Sequence, residues 1–385
     1  MKIVYCTDSL NHLGGIQRVT TVKASALAGI TGNQVYIVTA EGNGKSIFPL
    51  DSQVRVIDLG VRYYSDDWKS KWGLIKSTYT KRKEHKNKLK KVLNEIKADI
   101  IISTGTSDKF FLPSISPQES IVIRELHFCT RYRHLHAKGW FEICKAYIGD
   151  ILDYKIKMKQ YDQIYLLTEE DRQWWNNKKV SVMPNPNSFV PSGVSSGKSK
   201  KVIAVGRYSA PKRFDNLLLI WKKIIHQFPD WKLEIWGEGE ERKKLENMIE
   251  KLGIEDSAFL RGYTSDIEKY LLESSVFVLT SDYEGFPLVV LESMVCGLVP
   301  VCFACQTGPR DIITDGEDGF LIPMNNIDLF AEKLAFLMSN EGSRMEMMQK
   351  AIKRANDFTP DKIAQSWMSE FERLKSLKKD NDRTC

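Results

Sequence analysis

Short apolar runs recur at residues 2–6, 34–39, 54–59, 99–103, 121–126 and 163–168, and again at 201–207, 231–236, 258–263, 276–280 and 298–303. Each is too short for a stable helix and too continuously apolar for a strand with one wet face, so it reads as a parallel strand buried on both sides. Neighbouring parallel strands cannot be joined by a tight turn; they need a crossover, usually a helix. Helical periodicity is found between the runs, as at 69–97 and 107–112, and after the last of them at 327–339, 343–357 and 361–378. The expected fold class is therefore α/β, with parallel sheets covered by helices on both faces. The rhythm pauses at Val180-Ser-Val-Met-Pro-Asn-Pro-Asn187 and Pro191-Ser-Gly-Val-Ser-Ser-Gly-Lys-Ser-Lys200, where proline, glycine and serine mark a linker. A chain of 385 residues suits two doubly wound, Rossmann-like domains, expected at 1–190 and 201–358 with a linker at 191–200 and a last segment at 359–385.

No apolar run approaches the roughly 20 residues that span a bilayer, and a strand begins at residue 2, so neither a membrane span nor a signal peptide is expected. The seven cysteines, at 6, 129, 144, 296, 302, 305 and 385, are odd in number and scattered, which fits reduced thiols and a cytoplasmic location. Cys302 and Cys305 lack a partner pair, so no metal site is expected there. The net charge of +7 is uneven, with +10 in residues 1–190 and −3 in residues 191–385. Between Lys69 and Lys97 eleven basic residues meet only Glu84 and Glu95. With Trp68, Trp72, Leu74, Ile75 and Tyr79, this stretch can lie on an anionic membrane surface or form one solvated helix face. No recognition motif accompanies the basic charge, so nucleic acid is not an expected partner.

The richest stretch is Ser281-Asp-Tyr-Glu-Gly-Phe-Pro-Leu-Val-Val-Leu-Glu-Ser-Met-Val-Cys-Gly297. A strand ends, a loop runs from Tyr283 to Phe286, and Pro287 stands where the first position of a helix tolerates proline. A helix start offers free N–H groups to an anion or a sugar hydroxyl, and Gly285 lets backbone approach a ligand closely. Glu284 on the loop and Glu292 on the helix are expected to face one crevice. Residues 2–28 form a similar strand, Gly14-Gly15 turn and helix, but without the G-x-G-x-x-G pattern that a nicotinamide cofactor would need. Gly237-Glu-Gly239 also fails that test, with Arg242 in place of the third glycine. Arg207 and Lys212 flank another strand-to-helix turn, where two cations suit a diphosphate. His127 follows the strand at 121–126, at a carboxyl end where open parallel sheets bind ligands. His134 and His136 lie in the basic segment 131–138, read as a loop on the acceptor side.

The Glu284-x7-Glu292 spacing, with Gly-Phe-Pro after the first acid and Glu-Ser-Met before Val-Cys-Gly, resembles the retaining glycosyltransferases of family 4. Gly206-Arg207-x4-Lys212 and the Pro184-Asn185 turn resemble other parts of that family's pattern. The resemblance implies GT-B architecture, an amino-terminal acceptor domain, a carboxyl-terminal nucleotide-sugar domain, and a last helix crossing back onto the first. It gives His127 and Glu284 a place beside the transferred sugar and Arg207 and Lys212 the diphosphate. Glu292 takes the ribose, and Gly14 and Gly15 touch the pyrophosphate or the acceptor. Gly285, Phe286, Pro287 and Leu288 complete the donor loop, and Tyr263 is the candidate at the nucleobase. The family often has an aspartate after the histidine where this chain has Phe128, so any acid supporting the imidazole must come from elsewhere. Arg310-Asp311 likewise replaces a typical acid after the glycines.

The same resemblance implies transfer of a hexose or N-acetylhexosamine, with retention, to a glycan or lipid-linked glycan in bacterial envelope, capsule or lipopolysaccharide synthesis. A UDP-sugar is favoured over a GDP-sugar as donor. No cofactor or metal is expected, since Arg207 and Lys212 supply the charge that Mg²⁺ would bring. The expected location is cytoplasmic, at the inner face of the plasma membrane if the basic stretch docks there. Two other readings stay open: an epimerase or sugar phosphorylase of the same fold, and a non-catalytic protein that binds nucleotide sugar or glycan.

Overall fold

The computed structural model describes residues 1–63, 71–131, 133–134, 137, 139–175 and 177–384, without the side chains of 71–76, 155–157 and 381–384. The chain forms two compact units: Met1–Leu167, Arg172–Pro186 and Pro360–Cys385 make the first, and Thr168–Asp171 with Asn187–Thr359 make the second. Each is built on a parallel sheet sandwiched by helices, as the recurrent apolar runs require.

In the first unit the strands are β1 (Lys2–Thr7), β2 (Gln34–Thr39), β3 (Arg55–Asp58), β4 (Ile100–Ser103), β5 (Ile121–Glu125), β6 (Gln163–Leu166) and β7 (Val180–Val182). Their order is β3-β2-β1-β4-β5-β6-β7. Alternate residues of one strand enter opposite cores, because side chains on a strand point to opposite faces. Val4, Cys6, Val38, Ile101 and Val122 pack on one side, while Ile3, Tyr5, Ile37, Ile100 and Ile123 pack on the other. The helix Pro360–Thr384 completes the second of these cores through Ile363, Trp367, Phe371 and Leu374.

The apolar pattern ends this sheet at the run 163–168 and leaves residues 180–187 as a connector. Three strand residues are too few for a visible period, and β7 is held by its register to β6, with Tyr165 opposite Ser181. The expected helix at 107–112 forms instead at Leu112–Ile115. The preceding residues are committed elsewhere: the backbone N–H groups of Thr106 and Ser107 both donate to the Asp8 carboxylate, and Ser103 Oγ donates to Asp108. The basic helix runs from Lys71 to Ile96 and spends His85, Leu89, Leu93 and Ile96 on the core. Its Lys83, Lys86, Lys90 and Lys91 are exposed. Trp68 and Lys69, and the side chains of Trp72, Leu74 and Ile75, lie outside the described residues.

The second unit holds β8 (Lys201–Val205), β9 (Lys232–Trp236), β10 (Ala258–Gly262), β11 (Val276–Leu279), β12 (Val299–Phe303) and β13 (Phe320–Ile322), in the order β10-β9-β8-β11-β12-β13. The strand β13 comes after Asp315-Gly-Glu-Asp-Gly319, where the sequence pattern shows only a turn. The helices Phe214–Ile224 and Ile327–Ser339 bury Trp221 and Phe330 completely against this sheet. Gly237-x-Gly239 has a packing role. The amide of Gly237 donates to Gly262 O at 2.9 Å, and a Cβ at Gly237 would stand 1.9 Å from Gly206 O. Backbone must approach backbone at the ends of β8, β9 and β10, and only glycine allows it. Among the described residues no helix is long and apolar enough to cross a membrane.

Candidate functional site

In a doubly wound sheet the chain leaves in opposite directions on either side of one point, and ligands bind at the carboxyl ends of the strands there. In the second unit that point falls between β8 and β11. After β8 come Gly206 and Arg207, a 3₁₀ turn at Ala210–Lys212, Arg213 in the left-handed conformation with φ 49°, and the helix Phe214–Ile224. After β11 comes the loop with Glu284, then the helix Leu288–Val295. The two loops are fastened together. Thr280 Oγ1 donates to the carbonyls of Lys212 and Arg213 at 3.1 and 3.0 Å, and Asp282 N donates to Pro211 O at 2.8 Å. Arg213 also reaches Asp282 at 3.2 Å. Within this frame Lys212 Nζ donates to Glu284 Oε1 at 2.7 Å, with the two side chains only 25% and 11% exposed.

Sequence-predicted residues divide around this pair. Arg207 is largely solvent-exposed and pairs with Glu240 at 3.2 Å. Tyr263 is exposed just past β10, at the edge of the sheet. Pro287 is the cap residue, with Leu288 as the first helical residue, so the helix starts one position later than expected. Proline fits there because its φ of −73° is that of extended backbone as much as of helix. Phe286 is buried and packs against Phe358 with ring centroids 6.0 Å apart. Glu292 is also buried and accepts a hydrogen bond from Ser188 Oγ, whereas Glu284 pairs with Lys212.

A second strap holds the Glu284 loop. Glu284 N donates to Gln306 O at 3.1 Å, Thr307 Oγ1 donates to Glu284 O, and Thr307 N donates to Glu170 Oε2 at 3.0 Å. Arg310 pairs with the same Glu170 at 3.2 Å, and Asp311 accepts from Glu169 N at 2.7 Å. Gly308 has φ 100°, and a Cβ there would lie 2.4 Å from Pro287 Cδ. Gly308→Ala is therefore expected to cost about 1–3 kcal/mol in strain and to push Pro287 and the loop before it out of place. Thermal denaturation checks the first effect, and faster amide hydrogen exchange across residues 284–286 checks the second.

In the first unit His127 follows β5, and Gly14 and Gly15 follow β1 as the cap and first residue of the helix Gly15–Ala28. The His127 side chain is buried, with Nε2 3.0 Å from Glu125 Oε2 but out of line for a hydrogen bond. Glu125 is ion-paired with Lys23, itself buried. Burial alone would raise the Glu125 carboxyl, yet Lys23 and His127 hold it down at about 2. Burial lowers the His127 imidazole from its ordinary value, and the nearby Lys23 charge adds to this, so the ring is neutral at pH 7. His134 bonds Asp150 at 2.7 Å beside the Arg133–Asp150 pair, and so ties down the helix Trp140–Asp150; His136 lies outside the described residues.

Glu125 is the acid that Phe128 leaves unassigned in the linear sequence. Its signal is nonetheless there, because Glu125 ends β5 only two residues before His127. Lys23 sits mid-helix with no motif around it and is legible only from the fold. Glu170 and Thr307 are likewise beyond a linear reading, standing 137 positions apart. Among the described residues no group of three or more metal-ligating side chains forms.

Comparison with known proteins bears on this geometry. Residues 188–355 match the family described as Glycosyl transferases group 1, which covers most of the second unit. An uncharacterized glycosyltransferase of Haemophilus influenzae is 28% identical over 95% of this chain and 98% of its own. The amylovoran biosynthesis glycosyltransferase of Erwinia amylovora is 27% identical over 95% and 98%. Among solved structures, a TarM variant of S. aureus in complex with fondaparinux, alpha-GlcNAc-glycerol and UDP superposes with a TM-score of 0.75 at 17% identity, over 96% of this chain and 99% of that one. The chain thus carries, in its second unit, a stretch that matches Glycosyl transferases group 1, and its two parallel-sheet units have the GT-B fold of its structural neighbours.

Proposed function

We propose that this chain is a glycosyltransferase that moves a hexose or N-acetylhexosamine, with retention at the anomeric carbon, from a nucleoside-diphosphate sugar to a glycan or lipid-linked glycan of the bacterial cell envelope. The observation that bears the most weight is the Lys212–Glu284 pair at the switch point of the second sheet. An ammonium has three donors and one is given to Glu284, so two remain for phosphate oxygens. Lys212, with Arg207 swung from Glu240, drains charge from the departing diphosphate, and the open start of the helix Leu288–Val295 adds N–H groups. Glu284, held by Lys212, orients the sugar hydroxyls, and His127, neutral and backed by Glu125, donates to or accepts from the sugar. Glu292 holds the ribose and Tyr263 the base, while Gly14 and Gly15 border the acceptor or the pyrophosphate. The leaving phosphate takes the acceptor's proton on the face it departs from, so no covalent glycosyl-enzyme and no metal enters the scheme. A UDP-sugar is the favoured donor, in keeping with the UDP complex of the TarM variant. The relative named for amylovoran biosynthesis is in keeping with a polysaccharide as product.

Thermal denaturation against a panel of UDP-, GDP- and ADP-sugars tests the donor class. A ligand at 100 times its dissociation constant should add about 2.7 kcal/mol of stability. One nucleotide series is expected to stabilise and the others not, and a flat panel would remove the proposal. An epimerase or phosphorylase would instead make product without a glycan acceptor, and a binding protein would keep its function in Glu284→Ala.

A further inference from the structure

The helix Trp140–Asp150 in the first unit has its amphipathic character inverted. Ala146, Gly149 and Asp150 turn toward the protein, where Asp150 is clamped by Arg133 at 2.9 Å. The large apolar residues turn outward, with Trp140 77%, Phe141 72%, Tyr147 60% and Ile148 59% exposed. At about 100° per residue, these side chains and Ile143 cover an arc of about 180°, and Glu142 falls outside it. Monomeric soluble proteins do not leave so contiguous an apolar stripe to water without a use for it. In the same unit Trp174 is also 57% exposed, with the Arg131 guanidinium stacked 4.2 Å from its ring centroid.

The patch adjoins cationic surface. Lys109 lies 3.7 Å from Asp153, just past the helix, and 4.4 Å from the Phe110 ring centroid, and Arg82 of the basic helix Lys71–Ile96 stacks on the same ring. That helix presents Lys83, Lys86, Lys90 and Lys91 to solvent while its described apolar residues are mostly spent on the core. Aromatic side chains for the interface and lysines for anionic headgroups thus come from adjoining elements.

We propose that these two helices together form a docking surface for an anionic phospholipid bilayer, with the Trp140–Asp150 helix supplying the apolar insertion. This deepens the reading of an enzyme acting on lipid-linked glycan by naming the surface that brings it there. Its test needs no donor and no turnover, so the two can fail separately. The full chain is sedimented with vesicles of phosphatidylglycerol in phosphatidylcholine, and with phosphatidylcholine alone. Wild type is expected to bind the anionic vesicles at least about tenfold more strongly. Trp140→Ser with Phe141→Ser should reduce that binding at least about tenfold with an unchanged melting temperature, because both side chains are already in water. Lys83→Glu with Lys86→Glu should also weaken it. Failure of wild type to bind anionic vesicles, or equal binding by either double variant, would overturn the proposal. So would light scattering that shows a dimer which Trp140→Ser with Phe141→Ser converts to monomer, since the stripe would then cover a second copy.

Discussion

Replacing Lys212 by alanine is expected to reduce sugar transfer roughly 100- to 1,000-fold in kcat, the scale seen when one preorganised charge-stabilising donor is lost. Two effects add. The leaving diphosphate loses its closest fixed cation, and the Glu284 carboxylate, which Lys212 now neutralises at 2.7 Å, is left to repel it. Lys212→Arg should recover only part of the rate, because a planar fork cannot take the place of a point charge on a short reach to Glu284. The backbone of Lys212 is held by Thr280, so the turn should keep its shape and the melting temperature should move little. Steady-state rates with saturating donor, alongside nucleotide affinity, check this. A variant within about threefold of wild type would place the phosphate chemistry elsewhere.

Lys23→Met is expected to destabilise the first unit by about 3–5 kcal/mol, the cost of leaving a buried carboxylate without its cation. Both members of the Lys23–Glu125 pair are buried, with 3% and 2% of their side chains exposed. In a unit of this size the loss corresponds to a fall in melting temperature on the order of 10 °C. Adding Glu125→Gln should restore much of it, since the removed charge no longer needs a partner. The same groups set the acid response. Glu125 is depressed to about 2 from an ordinary 4.5, so its stabilisation is complete above pH 4.5 and is lost as pH falls toward 2. His127 is depressed below 6.5, so the unfolded chain takes up a proton there that the folded chain refuses, and stability falls as pH drops below 6.5. Calorimetric melting from pH 7 to pH 3 should show a progressive decline that is shallower in the Lys23→Met, Glu125→Gln double variant.

The strands were legible because parallel strands buried on both sides are continuous apolar runs, and eleven of them stand out on that basis. The two that do not, Val180–Val182 and Phe320–Ile322, are three residues each, below the length at which a pattern can be seen. The Lys212 and Glu284 loops were legible as strand-to-helix turns, but their contact was not. It depends on β8 and β11 being neighbours, which is a property of strand order. The Glu125–His127 spacing was visible in the sequence, whereas Lys23 enters only once helix Gly15–Ala28 is laid across the sheet. The 69–97 stretch shows its charge and aromatic content in the sequence but not which face the core takes. The core takes Leu89, Leu93 and Ile96, and the exposed apolar stripe stands on another helix.

Donor chemistry at the Lys212–Glu284 pair underlies the proposed mechanism, and proton NMR of the wild-type reaction probes it without any substitution. With an α-linked UDP-sugar and a glycan acceptor, in buffer containing a chelator, the expected outcome is release of UDP and a product whose anomeric coupling shows the α-configuration kept. A β-linked product, or no nucleotide released from any UDP- or GDP-sugar in the presence of glycan and lipid-linked acceptors, would overturn that mechanism.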